Sequence, residues 1–181
     1  MRVIAGTARS LRLKTIEGLD TRPTTDRIKE TLFNMLTGDT YDADFLDLFA
    51  GSGSIGIEAL SRGSRSCTFV EQSPAAVKCI NDNLKFTKLI DKASVFKADA
   101  LGFVTNMKSV DYDVIFMDPP YGRELEKNVL SILASKEFCR DTLIVVEATK
   151  DENFDYLDEM GYDLIKEKLY KSNKHVFIRK A

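Results

Sequence analysis

The chain has 181 residues, 44% of them hydrophobic and 30% charged, a balance that fits one soluble globular domain and excludes a disordered or membrane-embedded chain. A formal net charge of −2 excludes a protein that coats nucleic acid nonspecifically, since that mode needs an excess of Lys and Arg to displace counterions. No apolar run is long enough to span a bilayer, and none follows the amino-terminal charge as in a signal peptide, so a cytoplasmic protein is expected.

The first fourteen residues carry Arg2, Arg9, Arg12 and Lys14 and no acid, and Arg22, Arg27 and Lys29 follow shortly after. Read alone, these make a solvated basic face. Residues 3 to 5 and 11 to 15 predict a small paired ribbon. Thr24 or Thr25 then caps a helix reaching about Leu36, with Pro23 as a rigid lead into it.

An apolar strand over 45 to 49 runs into Asp47-Leu48-Phe49-Ala50-Gly51-Ser52-Gly53-Ser54-Ile55-Gly56 and a helix over 54 to 63. In this strand-turn-helix setting the G-x-G-x-x-G spacing is informative. Gly51 and Gly53 let backbone approach a ligand where a side chain would collide, and Gly56 permits close helix packing. Asp47, Phe49, Ala50, Gly51, Ser52, Gly53 and Gly56 are therefore candidate cofactor contacts. A second strand over 66 to 71 ends at Glu71, twenty residues past Gly51, where a carboxylate can accept hydrogen bonds from both hydroxyls of a ribose. After a helix over 74 to 86 and a strand over 93 to 97 come Asp99, placed to accept from an adenine amino group, and Ala100, opening a helix over 99 to 107. Each acid taken singly reads equally well as a helix cap. Their joint placement at successive strand ends favours an adenosyl cofactor. NAD and S-adenosylmethionine share the adenosyl ribose, but only the latter has a methionine ammonium for Asp47 to hold.

The strand predicted over 112 to 118 delivers Asp118-Pro119-Pro120-Tyr121. Two prolines stiffen the chain as it leaves the sheet. The Asp118 carboxylate and a carbonyl beside Pro119 can then both accept hydrogen bonds from one planar NH₂ group, while Tyr121 stacks on a base. Gripping both hydrogens frees a lone pair that is otherwise delocalised into the ring, which suits methylation of an exocyclic base amine. The tetrapeptide does not say whether the base is guanine or adenine. An adenine-N6 methyltransferase acting on DNA or RNA is the alternative. An NAD-dependent oxidoreductase would leave residues 118 to 121 without a role, and a noncatalytic RNA-binding factor would leave the whole motif set without one.

A helix over 123 to 135, a strand over 142 to 147, a short helix over 153 to 160 stopped by Gly161, and two strands over 162 to 170 and 174 to 179 around Ser172-Asn173 complete the pattern. The sum is an α/β, Rossmann-like, doubly wound sheet of seven strands, mostly parallel with an antiparallel carboxyl-terminal hairpin, plus the amino-terminal ribbon and helix. One domain is expected, with residues 1 to 40 as an extension and 41 to 181 as the catalytic core. Cys67, Cys79 and Cys139 read as buried reduced thiols, and His175 as a structural residue of the last strand. With one histidine and no Cys-x-x-Cys pair, no metal is expected.

Three segments carry a family resemblance: residues 22 to 34, beginning Arg22-Pro23-Thr24-Thr25-Asp26-Arg27, the 47 to 53 turn, and Phe116-Met117-Asp118-Pro119-Pro120-Tyr121. Over nearly its whole length the chain resembles the RsmD-type bacterial guanine-N2 methyltransferases of small-subunit ribosomal RNA. A monomer is the default expectation. The resemblance implies S-adenosylmethionine as cofactor and the N2 amine of guanine 966 in 16S rRNA as target, met in the small subunit or its assembly intermediate. It implies that Arg22, Thr24, Arg27 and Lys29 shape the cofactor mouth or contact RNA, and that Arg9 and Arg12 reach phosphates. Where the family commonly has Arg-Gly followed by Arg or Lys, this chain has Arg9-Ser10-Leu11-Arg12, so a displaced or weakened basic contact is expected there.

Overall fold

The computed structural model describes residues 1 to 16 and 25 to 181. Helices α1 (Asp26–Met35) and α2 (Thr37–Thr40) precede strand β1 (Asp44–Leu48). The alternation then runs α3 (Ser54–Ser61), β2 (Ser66–Glu71), α4 (Pro74–Thr87), β3 (Ala93–Lys97), α5 (Ala100–Asn106), β4 (Ser109–Val110), β5 (Val114–Met117), α6 (Leu125–Ala134), β6 (Glu137–Phe138) and β7 (Leu143–Thr149), before β8 (Tyr162–Leu169) and β9 (Asn173–Lys180). Among the described residues the main sheet has seven strands in the order β3-β2-β1-β5-β7-β9-β8. The first five lie parallel, and β9 enters antiparallel between β7 and the edge strand β8. The sheet has the strand number, direction and closing hairpin that the sequence predicts, and it makes the chain an α/β protein of the methyltransferase type.

Alternation along the strands splits the core in two. Phe45, Phe116, Val145 and Phe177 point to the face covered by α1, α3 and α4. Leu46, Ile115, Ile144 and Val176 point to the face covered by α5 and α6. The element bounds match the predicted ones to within a residue or two, and β4 with β6 forms an unpredicted two-stranded parallel sheet.

Three local expectations change. The amino-terminal ribbon narrows to a single antiparallel bridge, Arg2 to Arg12. Its inner strand is diverted because the Ile4 and Ala5 amides donate to the Glu58 carboxylate at 2.8 and 3.0 Å, strapping the segment along α3. Gly6 completes the strap, since a Cβ there would sit 1.7 Å from the Ser61 carbonyl oxygen. In place of a helix over 153 to 160 there is only a 3₁₀ turn at Asp158–Met160, ended as expected by Gly161 in the left-handed region. The Asn153 side chain takes the Asp155 amide at 2.6 Å, and that local bond competes with helix nucleation. Cys67 and Cys79 are buried, but Cys139 is exposed. Of the two candidate caps, Thr25 caps α1, its hydroxyl accepting from the Ile28 amide.

Candidate active site

β1 and β5 are adjacent and parallel, paired from Phe45 with Val114 to Leu48 with Met117, so the loops after both strands emerge at the same sheet edge. The glycine turn succeeds β1 and the Asp118-Pro119-Pro120-Tyr121 corner succeeds β5. Neighbouring strands lie about 4.8 Å apart. The two motifs thus flank one crevice, at the carboxyl ends of the strands where open α/β sheets bind ligands.

The turn is built for close approach. Phe49 leaves the strand at φ +64°, a left-handed conformation uncommon for an aromatic residue, and the Ala50 amide ties back to the Val70 carbonyl at 3.0 Å. Gly51 (φ +56°) faces open space, since a Cβ there would meet nothing within 4 Å. Gly56 is the opposite case: a Cβ would lie 2.3 Å from the Phe69 ring and 2.6 Å from the Cys67 sulfur, so only glycine lets α3 lie against β2. Ser52 sits in the turn, its carbonyl accepting from the Asn83 side chain at 3.0 Å, which anchors the loop to α4. Gly53 (φ +78°) leads directly into α3.

The acids fall where they were expected but are partly engaged. Both Glu71 oxygens are fixed by backbone amides, Oε2 by Gly51 at 2.9 Å and Oε1 by Ser73 at 2.8 Å, and each keeps a second lone pair for a ribose hydroxyl. Asp99 caps α5 through the Gly102 amide at 2.7 Å, with Ala100 buried behind it. The capping reading therefore holds for Asp99, while α4 takes its cap from Ser73. Asp47 is buried and accepts from the Gly56 amide at 3.0 Å. Loss of hydration, and more weakly repulsion from Glu71, push its carboxyl up to about 7. A cationic group delivered to Asp47 would restore its charge, as a methionine ammonium does. The open face at Gly51, the fixed Glu71 and the uncompensated Asp47 together fit an adenosyl amino acid.

The Asp118 carboxyl is driven well above the usual carboxylate range by burial, then by Glu147 and Asp47. Tyr121, which ends this corner, is 49% exposed. Arg9, Arg12 and Arg27 are exposed and have no ion-pair partner among the described residues. Arg22 and Thr24 lie outside the described residues. Lys29 is a correction. It is fully buried in α1, with its ammonium 2.6 Å from the Arg2 carbonyl and 3.5 Å from Glu58, so it braces the amino-terminal strap and does not face RNA. Glu147, two residues before the end of β7, is not among the residues expected from the sequence, although it carries the same signal as the other acids, an apolar run followed by a carboxylate.

Among the described residues no group of three or more His, Cys, Asp or Glu side chains is placed to hold a metal, and no helix is long and apolar enough to cross a membrane. The family model described as Conserved hypothetical protein 95 matches residues 1 to 179. Ribosomal RNA small subunit methyltransferase D of Haemophilus influenzae is 35% identical over 181 residues, covering 95% of this chain and 94% of its own. The Escherichia coli protein of the same name is 35% identical over 153 residues, covering 84% of this chain and 76% of its own. The solved Escherichia coli protein yhhF superposes with a TM-score of 0.88 at 33% identity, covering 99% of this chain and 97% of that one. With its motifs, its sheet and its length all matched, the chain belongs to the Conserved hypothetical protein 95 family, the RsmD-type family that its motifs resemble.

Proposed function

We propose that this protein methylates the exocyclic amine of a base in small-subunit ribosomal RNA, the N2 amine of guanine 966, using S-adenosylmethionine. The observation that carries the reading is the shared sheet edge of the 51 to 56 turn and the 118 to 121 corner. Support for the substrate comes from two relatives named ribosomal RNA small subunit methyltransferase D. S-adenosylmethionine, when bound, supplies a methyl group made electrophilic by its sulfonium charge. Asp47 would hold its ammonium, Glu71 its ribose and Asp99 its adenine, while Phe49, Ala50, Gly51, Ser52, Gly53, Gly56 and Ala100 form the cradle. Asp118 and the carbonyl beside Pro119 grip the two amine hydrogens, and Pro120 keeps that corner stiff. The gain is one of proximity and alignment. Asp118 then takes the proton that the methylated nitrogen sheds.

A paired base cannot enter such a corner, so the target is unpaired or flipped. Arg9, Arg12 and Arg27 supply phosphate contacts, joined by Arg22 and Thr24. In this reading the protein acts as a monomer. The test is transfer of labelled methyl to 30S subunits lacking the modification, followed by nucleoside analysis. N2-methylguanine is expected, whereas N6-methyladenine would reassign the base. In calorimetry S-adenosylhomocysteine should bind and NAD should not, and the reverse would reject the assignment.

Tyr121→Ala is expected to weaken engagement of the base by about tenfold to a hundredfold, as loss of a stacking contact worth about 1–3 kcal/mol requires. Tyr121→Phe keeps the ring and should retain most activity. Single-turnover rates at varied 30S concentration separate the two, and equal losses in both variants would assign the role to the hydroxyl.

A further inference from the structure

One carboxylate at this edge has no part in the scheme above. The β5 to β7 register pairs Met117 with Val146, so Asp118 and Glu147 come as the next neighbours. Alternation turns both to the face of Phe116 and Val145. Glu147 is buried and gripped at both oxygens: the Asn173 side-chain amide donates to Oε1 at 2.6 Å, and His175 Nε2 lies 3.1 Å from Oε2. His175 is fully buried, edge-on to the Phe116 and Tyr170 rings, and its Nδ1 lies 3.1 Å from the Tyr170 hydroxyl. With Tyr170 donating to Nδ1 and Nε2–H donating to Glu147, every contact of the array is satisfied with Glu147 as a carboxylate, and the Asn173 amide nitrogen, which can only donate, fits the same state.

We propose that Glu147 is a positioning residue of this site, a carboxylate clamped by Asn173 and His175 beside Asp118, where its fixed negative charge selects Asp118 as the proton acceptor. Two neighbouring carboxylates are not both ionised without cost, and the proton goes to the one with fewer donors. Glu147 has two donors, whereas Asp118 has no side-chain hydrogen bond among the described residues. Among the described residues, the ionisable groups around the pair are Asp47 from β1, His175 from β9 and Tyr170 just before it. Burial and the two other acids all act on Asp118 in one direction, and among the described residues no cation opposes them. His175, read from sequence as structural, thereby also serves the site, because it holds Glu147 in place.

The catalytic consequence rests on the methyltransferase reading, but the charge coupling does not, so the first test needs no substrate. In protein carrying ¹³C-carboxyl aspartate, without cofactor, the Asp118 resonance is assigned by its loss in Asp118→Asn and then titrated. In the wild type it should titrate above the ordinary aspartate value of about 3.9, and in Glu147→Gln it should fall by at least about one pH unit. A wild-type midpoint at or below that ordinary value overturns the proposal without any Glu147 variant, and an unmoved midpoint in a folded Glu147→Gln protein does so too. The acidic limb of the methyl-transfer rate should also move to lower pH in Glu147→Gln, because Asp118 then stays ionised further down. A lower rate with an unmoved limb would mean that Glu147 only supports the fold, and would overturn the proposal. Wild-type protein inert on 30S subunits would instead reject the methyltransferase reading, and the titration would still decide this one.

Discussion

Asp118→Ala is expected to lower kcat by about a hundredfold to ten-thousandfold, the span of a general acid-base group, while S-adenosylhomocysteine affinity stays within about threefold. The separation comes from position. The cofactor cradle is built on β1, β2 and the start of α5, whereas Asp118 leaves β5 through two prolines and has no hydrogen bond to that cradle. Asp118→Asn keeps an acceptor oxygen but cannot take up a proton, so it should fall between wild type and alanine. The same substitutions remove a carboxyl that burial and two neighbouring acids disfavour as an anion, so neither variant should melt below the wild type. A loss of rate in a protein of undiminished stability therefore assigns Asp118 to the chemistry. Unchanged turnover in Asp118→Ala would remove it from the mechanism.

Much of this site was legible because its parts are local. Glycines at 51 and 53 and prolines at 119 and 120 act on their own backbone, and five apolar runs alternating with four helices dictate a parallel sheet whose loops meet at one edge. The parts that were not legible depend on partners remote in sequence. Lys29 read as a surface cation because its charge outweighed its spacing. It stands three, four and seven residues before Leu32, Phe33 and Leu36, all buried, and so lies on the apolar stripe of α1. No periodicity announces that Glu58 waits opposite it. Similarly, His175 could be placed in a strand but not beside Glu147, because that pairing is set by β9 entering the sheet antiparallel to β7. The 153 to 160 segment failed for the reverse reason, a side-chain bond at Asn153 overriding helical spacing.

The Lys29 and Glu58 pair carries the second large expectation, a loss of about 3–5 kcal/mol of stability in Glu58→Ala, the range for breaking a buried ion pair by removing one partner. Both side chains are fully buried. Glu58 also accepts from Ile4, Ala5 and Arg62, so its removal unlatches the amino-terminal strap as well as stranding an ammonium. The charge component has a ceiling. Lys29 escapes by giving up its proton, at about 1.4 kcal/mol per pH unit, so between its ordinary 10.5 and neutrality the penalty stops near 5 kcal/mol. That escape fixes the pH dependence. Burial already holds the Lys29 pKa below its ordinary value, and Glu58 is the largest influence raising it, so the alanine variant depresses it further. Between the lowered folded value and 10.5 the unfolded chain binds the extra proton, so stability rises with pH there, over a wider window in the variant than in the wild type. Chemical denaturation at about pH 7 and about pH 10 should therefore show the deficit shrinking at the higher pH, as the Lys29 stranded in the folded variant gives up its proton. Glu58→Gln, which keeps an acceptor for the strap but no charge, should show the same trend from a smaller loss. A deficit that is the same at both pH values would mean that the strap, not the buried charge, is what Glu58 secures.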